Sequence, residues 1–251
     1  MQPVRPPAVA GSFYPEDPAR LSAEVERLLA EAPAGPAAKA VIAPHAGYVY
    51  SGLTAAFAFR RLPKATRIVL LGPSHFARLE GLALPDARAF RTPLGEVPVE
   101  EPEGLPKDAA AHAEEHSLEV EVPFLQRTLG AFTLVPIAVG DAGPEEVAEV
   151  LERLWGGPET AIVISSDLSH YHPYASARAL DAATAKETLA LGRLGREAAC
   201  GAAPVNGLLL AARRRKMRAE LLDLRNSGDT AGDKSRVVGY GAFAFHEQAV
   251  T

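Results

Sequence analysis

Three apolar runs in the chain each close on a histidine: Val41-Ile42-Ala43-Pro44-His45, Ile68-Val69-Leu70-Leu71-Gly72-Pro73-Ser74-His75, and Ala161-Ile162-Val163-Ile164-Ser165-Ser166-Asp167-Leu168-Ser169-His170. As parallel strands of one open sheet they would bring all three imidazoles to the carboxyl edge, where α/β proteins bind their ligands. A lone histidine behind a strand is ordinarily a hydrogen-bonded loop residue, but here the arrangement recurs, and the third loop adds Asp167 and a further imidazole, His172. Two histidines and a carboxylate with open positions suit iron(II) and, less selectively, zinc or copper. Without a metal the same groups form an acid/base cluster.

Strands and helices must alternate to hold these loops. Asp17-Pro18 reads as a helix N-cap and first helical residue, and the spacing of Leu21, Val25, Leu28 and Leu29 gives a helix over 18–31. Buried strands are expected at 39–43, 66–71, 132–139 and 161–165, helices at 52–61, 116–129, 144–155, 174–193 and 204–219, and a last strand at 237–245. The proline-rich stretch from Pro85 to Lys107 reads as short irregular strands. This alternation predicts a single α/β domain with a largely parallel central sheet flanked by helices.

Composition narrows the function. A net charge of -5 argues against a nucleic-acid partner. The one basic run, Arg213-Arg214-Arg215-Lys216, follows an apolar stretch at a helix end, where cations complement the helix dipole. One cysteine excludes an internal disulfide, and no run reaches the ~20 apolar residues of a membrane span. A soluble, cytoplasmic protein is expected, with no membrane partner.

Five segments carry a resemblance to a known family: Arg5-Pro6-Pro7-Ala8-Val9-Ala10-Gly11-Ser12-Phe13-Tyr14-Pro15, Ala43 to Gly52, Gly72-Pro73-Ser74-His75, Glu115-His116-Ser117-Leu118-Glu119 with Pro123-Phe124, and Ser165 to His170. In this order they resemble the Memo family, whose bacterial and archaeal members are called AmmeMemoRadiSam system protein B, over nearly the whole chain. The resemblance implies a fold similar to class III extradiol (LigB-like) non-heme iron dioxygenases, with a metal-capable pocket at the sheet edge. It matches His45 and His75 to the metal-binding histidines, and Asp167 and His170 to pocket residues. It also implies a pathway shared with AMMECR-type and radical SAM proteins.

The resemblance further implies a cysteine ligand from the C-terminal loop, where the dioxygenases use glutamate. That loop here, Asn226 to Asp233, has no cysteine, and Thr230 aligns with the position. Threonine is a poor ligand for borderline metals, so Asp229 or Asp233 substitutes, Asp167 or His170 completes the sphere, or metal binds weakly. The only thiol, Cys200, precedes a predicted helix, where a helix N-terminus can activate a thiol; plain packing is the favoured reading. His112-Ala113-Glu114-Glu115-His116 fits the inverted zinc-protease pattern but has no downstream ligand helix. The resemblance gives His116 a better reading, at the start of a helix and facing the same pocket as an acid/base group or as a support behind the ligands, with Glu119 one turn along. Tyr48 and Tyr50 are pocket walls or core, and His246 a surface residue.

Three functions fit these residues. One is a metal-dependent redox enzyme, iron favoured over zinc or copper, with His45 and His75 as ligands and His116, Asp167 or His170 as catalytic groups. Another is a metal-dependent hydrolase with Asp167 as base. The third is a non-catalytic scaffold presenting the pocket to a small molecule or peptide.

Overall fold

The computed structural model describes residues 3–248. In chain order the elements are β1 (Val4–Arg5), α1 (Pro18–Glu31), β2 (Ala40–Ala43), α2 (Tyr48–Phe59), β3 (Arg67–Pro73), β4 (Leu82–Ala83), β5 (Ala89–Thr92), β6 (Gly95–Pro98), α3 (Ala109–Ala113), α4 (Val122–Leu129), β7 (Thr133–Val139), α5 (Pro144–Leu154), β8 (Thr160–Ser165), β9 (His170–His172), α6 (Tyr174–Leu189), α7 (Ala202–Arg214), β10 (Arg218–Asn226) and β11 (Val237–His246). Short 3-10 turns occupy Glu119–Glu121, Arg196–Ala198 and Ser227–Asp229.

The main sheet runs β10-β11-β2-β8-β3-β7-β4, with β9 paired to β11, and a smaller sheet joins β1, β5 and β6. The four central strands β2, β8, β3 and β7 are parallel. β4 is antiparallel to β7, β11 to β2, and β10 to β11. The sheet is therefore mixed, which corrects the expectation of a largely parallel one. The cause is β4 at one edge and the β10–β11 ribbon at the other: Arg218 to Asn226, with its first two residues expected in the last helix and its next six assigned no element, forms a nine-residue strand. A register shift between Leu221 and Asp223 breaks the two-residue alternation, so no strand periodicity shows in the sequence.

The central strands are apolar on both faces because both faces are covered. Val41, Ile68, Leu70 and Val163 pack with α1, α2 and α4, whereas Ile42, Val69, Leu71 and Ile164 pack with α5 and α7. Successive strand side chains point to opposite faces, so a helical layer on each side demands an unbroken apolar run. Asp17 caps α1 as expected, accepting the Arg20 N–H at 2.8 Å. The short strands β5 and β6 lie within the proline-rich stretch. The basic run closes α7, where Arg215 pairs with Glu152 and lies over Trp155.

The helix expected over 116–129 begins only at Val122, with Pro123 in its first turn. Proline has no N–H to donate and suits a first turn, not an interior. Residues 115–121 thereby stay outside α4, as a turn and the 3-10 segment Glu119–Glu121, and thread along the carboxyl ends of the strands. Among the described residues, no helix is long and apolar enough to cross a membrane.

Candidate metal centre

β2, β8 and β3 are consecutive in the sheet, so the loops after Ala43, Ser165 and Pro73 emerge side by side. They open into a cavity of about 890 Å³ lined by His45, His75, His116, Asp167, His170 and Cys200, with Phe13, Tyr50, Tyr171 and Tyr240 as aromatic walls. The three strand-ending histidines thus share one cavity. The nearest donors are His45, His75 and Cys200, whose ligand atoms all lie within 4.8 Å of one another.

Each histidine is oriented through its Nδ1. The buried His45 ring places Nδ1 2.7 Å from Ser165 Oγ, and its Nε2 faces Cys200 Sγ at 3.3 Å. His75 Nδ1 lies 2.9 Å from Glu115 Oε1, while its backbone N–H donates to Glu115 Oε2 at 2.5 Å. Glu115 Oε1 also accepts the Ser117 N–H at 2.8 Å. A carboxylate behind a histidine fixes the tautomer and leaves Nε2 as the donor, the usual support for a metal-ligating imidazole. His75, Glu115 and His116 form a second close group, but there the carboxylate oxygens already accept three N–H donors.

Cys200, for which the sequence favours plain packing, lines the cavity. It sits between the 3-10 turn at 196–198 and α7, where its N–H donates to the Asp167 carbonyl at 3.2 Å and its Sγ accepts the Asp167 N–H at 3.3 Å. Gly201 permits this: a Cβ there would meet Ser166 Cβ at 2.7 Å and the Ser165 carbonyl at 2.9 Å. A thiol therefore does reach the site, although not from the C-terminal loop.

Asp229 and Thr230 are absent from the cavity lining. Asp229 closes a capping box with Asn226 and accepts the Tyr174 hydroxyl at 2.5 Å, and Thr230 donates to the Ser227 carbonyl at 3.2 Å. Those bonds brace the loop, so both residues are corrected as third-ligand candidates. Asp233 lies on the cavity rim but accepts the N–H and hydroxyl of Ser235. Asp167 and His170 do line the cavity: Asp167 Oδ1 accepts the His45 N–H at 2.9 Å, and His170 Nδ1 bonds the Leu168 carbonyl at 2.8 Å.

His116 stacks on His75 with centroids 4.8 Å apart and meets the His45 ring edge-on at 5.4 Å. Its Nδ1 is buried without a hydrogen-bond partner. Glu119, expected beside it, turns away instead. There it pairs with Arg5 and accepts from the Ala8 and Val9 N–H groups and the Tyr14 hydroxyl, fixing the N-terminal segment so that Phe13 forms a wall. His112 bonds the Ala83 carbonyl at 2.9 Å and is no part of the cavity, which disposes of the protease pattern. Tyr48 is core, its hydroxyl donating to the Val120 carbonyl, whereas Tyr50 is a wall. His246 is half-buried between the Ala37 carbonyl and Glu220 and is not a free surface residue.

Burial, reinforced by the neighbouring imidazoles of His75, His116 and His170, pushes His45 well below the usual histidine range, so it presents a neutral ring. Burial and His75 lower His116 to about 4 against the opposing charge of Glu115. For Glu115 burial acts upward, but the hydrogen bond and charge of His75, with the backbone N–H groups, hold it at about 2. Burial raises Asp167 to about 7, and burial with the adjacent Asp167 charge raises the Cys200 thiol. Burial also raises Glu121 well above the carboxylate range.

These features define an α/β protein with an imidazole and thiol pocket at the carboxyl edge of a mixed sheet. The model of the family described as Memo-like protein matches residues 5–244. The chain is 38% identical over 266 residues to the MEMO1 family protein of Archaeoglobus fulgidus, an alignment covering 96% of this chain and 99% of the relative. It is 38% identical over 261 residues to the MEMO1 family protein of Aquifex aeolicus, with 94% and 97% covered. To MEMO1 family protein MK0963 of Methanopyrus kandleri it is 34% identical over 284 residues, with 96% and 98% covered. The chain belongs to the Memo family.

Proposed function

We propose that this Memo-family protein binds one divalent transition metal through His45, His75 and Cys200 and acts as a metal-dependent oxidoreductase, with iron favoured and zinc or copper as alternatives. The observation that carries the reading is the convergence of two imidazoles and the chain's single thiol within 4.8 Å in an aromatic-walled cavity. The donor set fits such an ion: imidazole and thiolate are ligands for iron, zinc and copper, and both histidines are held with Nε2 available. Metal bonds of about 2.0–2.3 Å at a tetrahedral angle separate nitrogen and sulfur donors by roughly 3.5 Å. The 3.3 Å between His45 Nε2 and Cys200 Sγ is close to that spacing. A thiol in place of the dioxygenase carboxylate makes the set softer than the LigB-like one that the resemblance implies.

A redox-active ion bound there would supply one-electron chemistry to a substrate in the cavity. The remaining residues handle protons and position. His116, neutral and stacked over His75, is placed to accept a proton from a bound ligand. Asp167, at about 7, can hold or release one near neutrality, and His170 lines the same cavity. That poise of Asp167 also favours the second reading, a hydrolase in which it serves as base. The association with AMMECR-type and radical SAM proteins belongs to the same proposal and rests on the family resemblance alone.

The test is the metal content of protein purified without chelators, beside His45→Ala, His75→Ala and Cys200→Ala. Near-stoichiometric metal in the wild type and its loss in each variant is expected. Equal content in all four proteins refutes the site. Anaerobic iron(II) loading followed by oxygen uptake with catechols then separates the readings: uptake is expected of an oxidoreductase, and none with any catechol removes the support for it.

A further inference from the structure

Ser165 Oγ is surrounded by three polar atoms: His45 Nδ1 at 2.7 Å, the Ser117 carbonyl oxygen at 2.6 Å and Glu121 Oε1 at 2.7 Å. A hydroxyl has one hydrogen and two lone pairs, so of three neighbours it donates to one and accepts from two. The carbonyl of Ser117 is an acceptor only, and it must receive the hydrogen. The other two neighbours must then both be donors. If Ser165 instead donated to Glu121 or to His45, two oxygens 2.6 Å apart would face each other with no hydrogen between them.

Glu121 meets the requirement. It is 0% exposed, its Oε2 has no hydrogen-bond partner, and none of the ion pairs among the described residues includes it. An unpaired charge in that position would be far costlier than a neutral acid. We propose that Glu121 is a positioning residue held as a neutral carboxylic acid, whose O–H donates to Ser165 and thereby fixes His45 as the Nδ1–H tautomer with the Nε2 lone pair facing Cys200. This rests on the reading of His45 as a ligand and extends it inward by two residues.

The consequence is an asymmetry between the two histidines. His75 has an anionic carboxylate directly behind it, which makes its Nε2 the more electron-rich donor. His45 has a neutral hydroxyl and, behind that, a neutral acid. One seven-residue segment, Glu115 to Glu121, supplies both supports, so the pocket gains one negative charge at its back and not two.

Infrared spectra of the metal-free protein carrying isotope-labelled glutamate test this at neutral pH. A carbonyl stretch of a protonated glutamic acid, shifted by the label and missing from Glu121→Gln, is expected. Carboxylate bands alone in the wild type overturn the proposal, and that measurement needs no variant to fold. A long-range proton–nitrogen correlation spectrum should show His45 protonated on Nδ1; protonation on Nε2 also overturns it. Cobalt(II) titration adds a third readout. Because the glutamine amide can still donate to Ser165, Glu121→Gln should stay within about threefold of wild-type affinity, against the roughly 10–100-fold weakening typical when an anionic supporting partner is lost. A weakening in Glu121→Gln as large as that refutes the neutral acid. Should no variant bind metal, the metal site fails, while the infrared band and the tautomer still decide the state of Glu121.

Discussion

Replacing Glu115 by glutamine isolates the anionic support of His75. The carboxylate accepts three N–H donors at 2.5, 2.9 and 2.8 Å, and it is almost wholly buried. Its folded pKa of about 2 lies below the ordinary 4.5, so the linked stability is present above the unfolded value and is lost as pH falls through the folded one. The difference corresponds to about 3 kcal/mol at neutral pH and about 1.5 kcal/mol at pH 3, where much of the advantage has gone. Glutamine cannot reproduce it, because its amide turns a donor towards an N–H. Urea unfolding of chelator-treated wild type and Glu115→Gln at neutral pH and at pH 3 measures the gap directly, and titrations common to both proteins cancel. A gap near 3 kcal/mol that shrinks by roughly half on acidification is expected. A gap below about 1 kcal/mol, or one of constant size, would refute the assignment of Glu115 as an ionised, triply bonded carboxylate.

Glu119→Ala should destabilise the protein by about 3–5 kcal/mol in denaturant titrations, because it leaves the buried Arg5 guanidinium unpaired, and a change under 1 kcal/mol would show that the pair is not the anchor of the N-terminal segment. Gly201→Ala should keep the fold, read by circular dichroism, but lose metal, since the new Cβ strikes the Ser166 side chain and the Ser165 carbonyl and displaces Cys200; wild-type metal content would contradict that contact. For Asp167 the sign is opposite to that of Glu115. With a folded pKa of about 7 against 3.8, it removes about 4 kcal/mol of stability as pH rises between those values in metal-free protein. Asp167→Asn should abolish that decline, and parallel pH profiles for the two proteins would refute it.

The central strands were legible in the sequence because apolar runs covered on both faces leave an unmistakable pattern. The loops behind them announced His45 and His75, and with them the edge of the sheet where the cavity lies. Cys200 was hidden for a different reason. It follows no strand; it reaches the site because the turn at 196–198 folds back over the β8 loop, a tertiary contact with no periodic trace. The signal available was modest: the only cysteine in the chain, followed by glycine at a helix start. The β10 strand escaped for the converse reason, since its bulge and mixed polarity erase the alternation that marks a half-buried strand.

The segment Glu115-His116-Ser117-Leu118-Glu119-Val120-Glu121 shows how little residue type alone reveals about charge. Its three glutamates are all buried, yet their partners differ in kind. Glu115 faces three N–H donors, Glu119 a guanidinium with further donors, and Glu121 one hydroxyl already committed to a carbonyl. Donor count fixes the outcome: plentiful donors stabilise the anion, and a lone shared hydroxyl leaves the proton on the acid. Pro123 makes this possible by delaying α4, so that the preceding residues lie across the strand ends and do not wind into the helix. Because the same stretch grips Arg5 and Tyr14 on one side and supports His75 and His45 on the other, a shift in it would move both histidines and the Phe13 wall together.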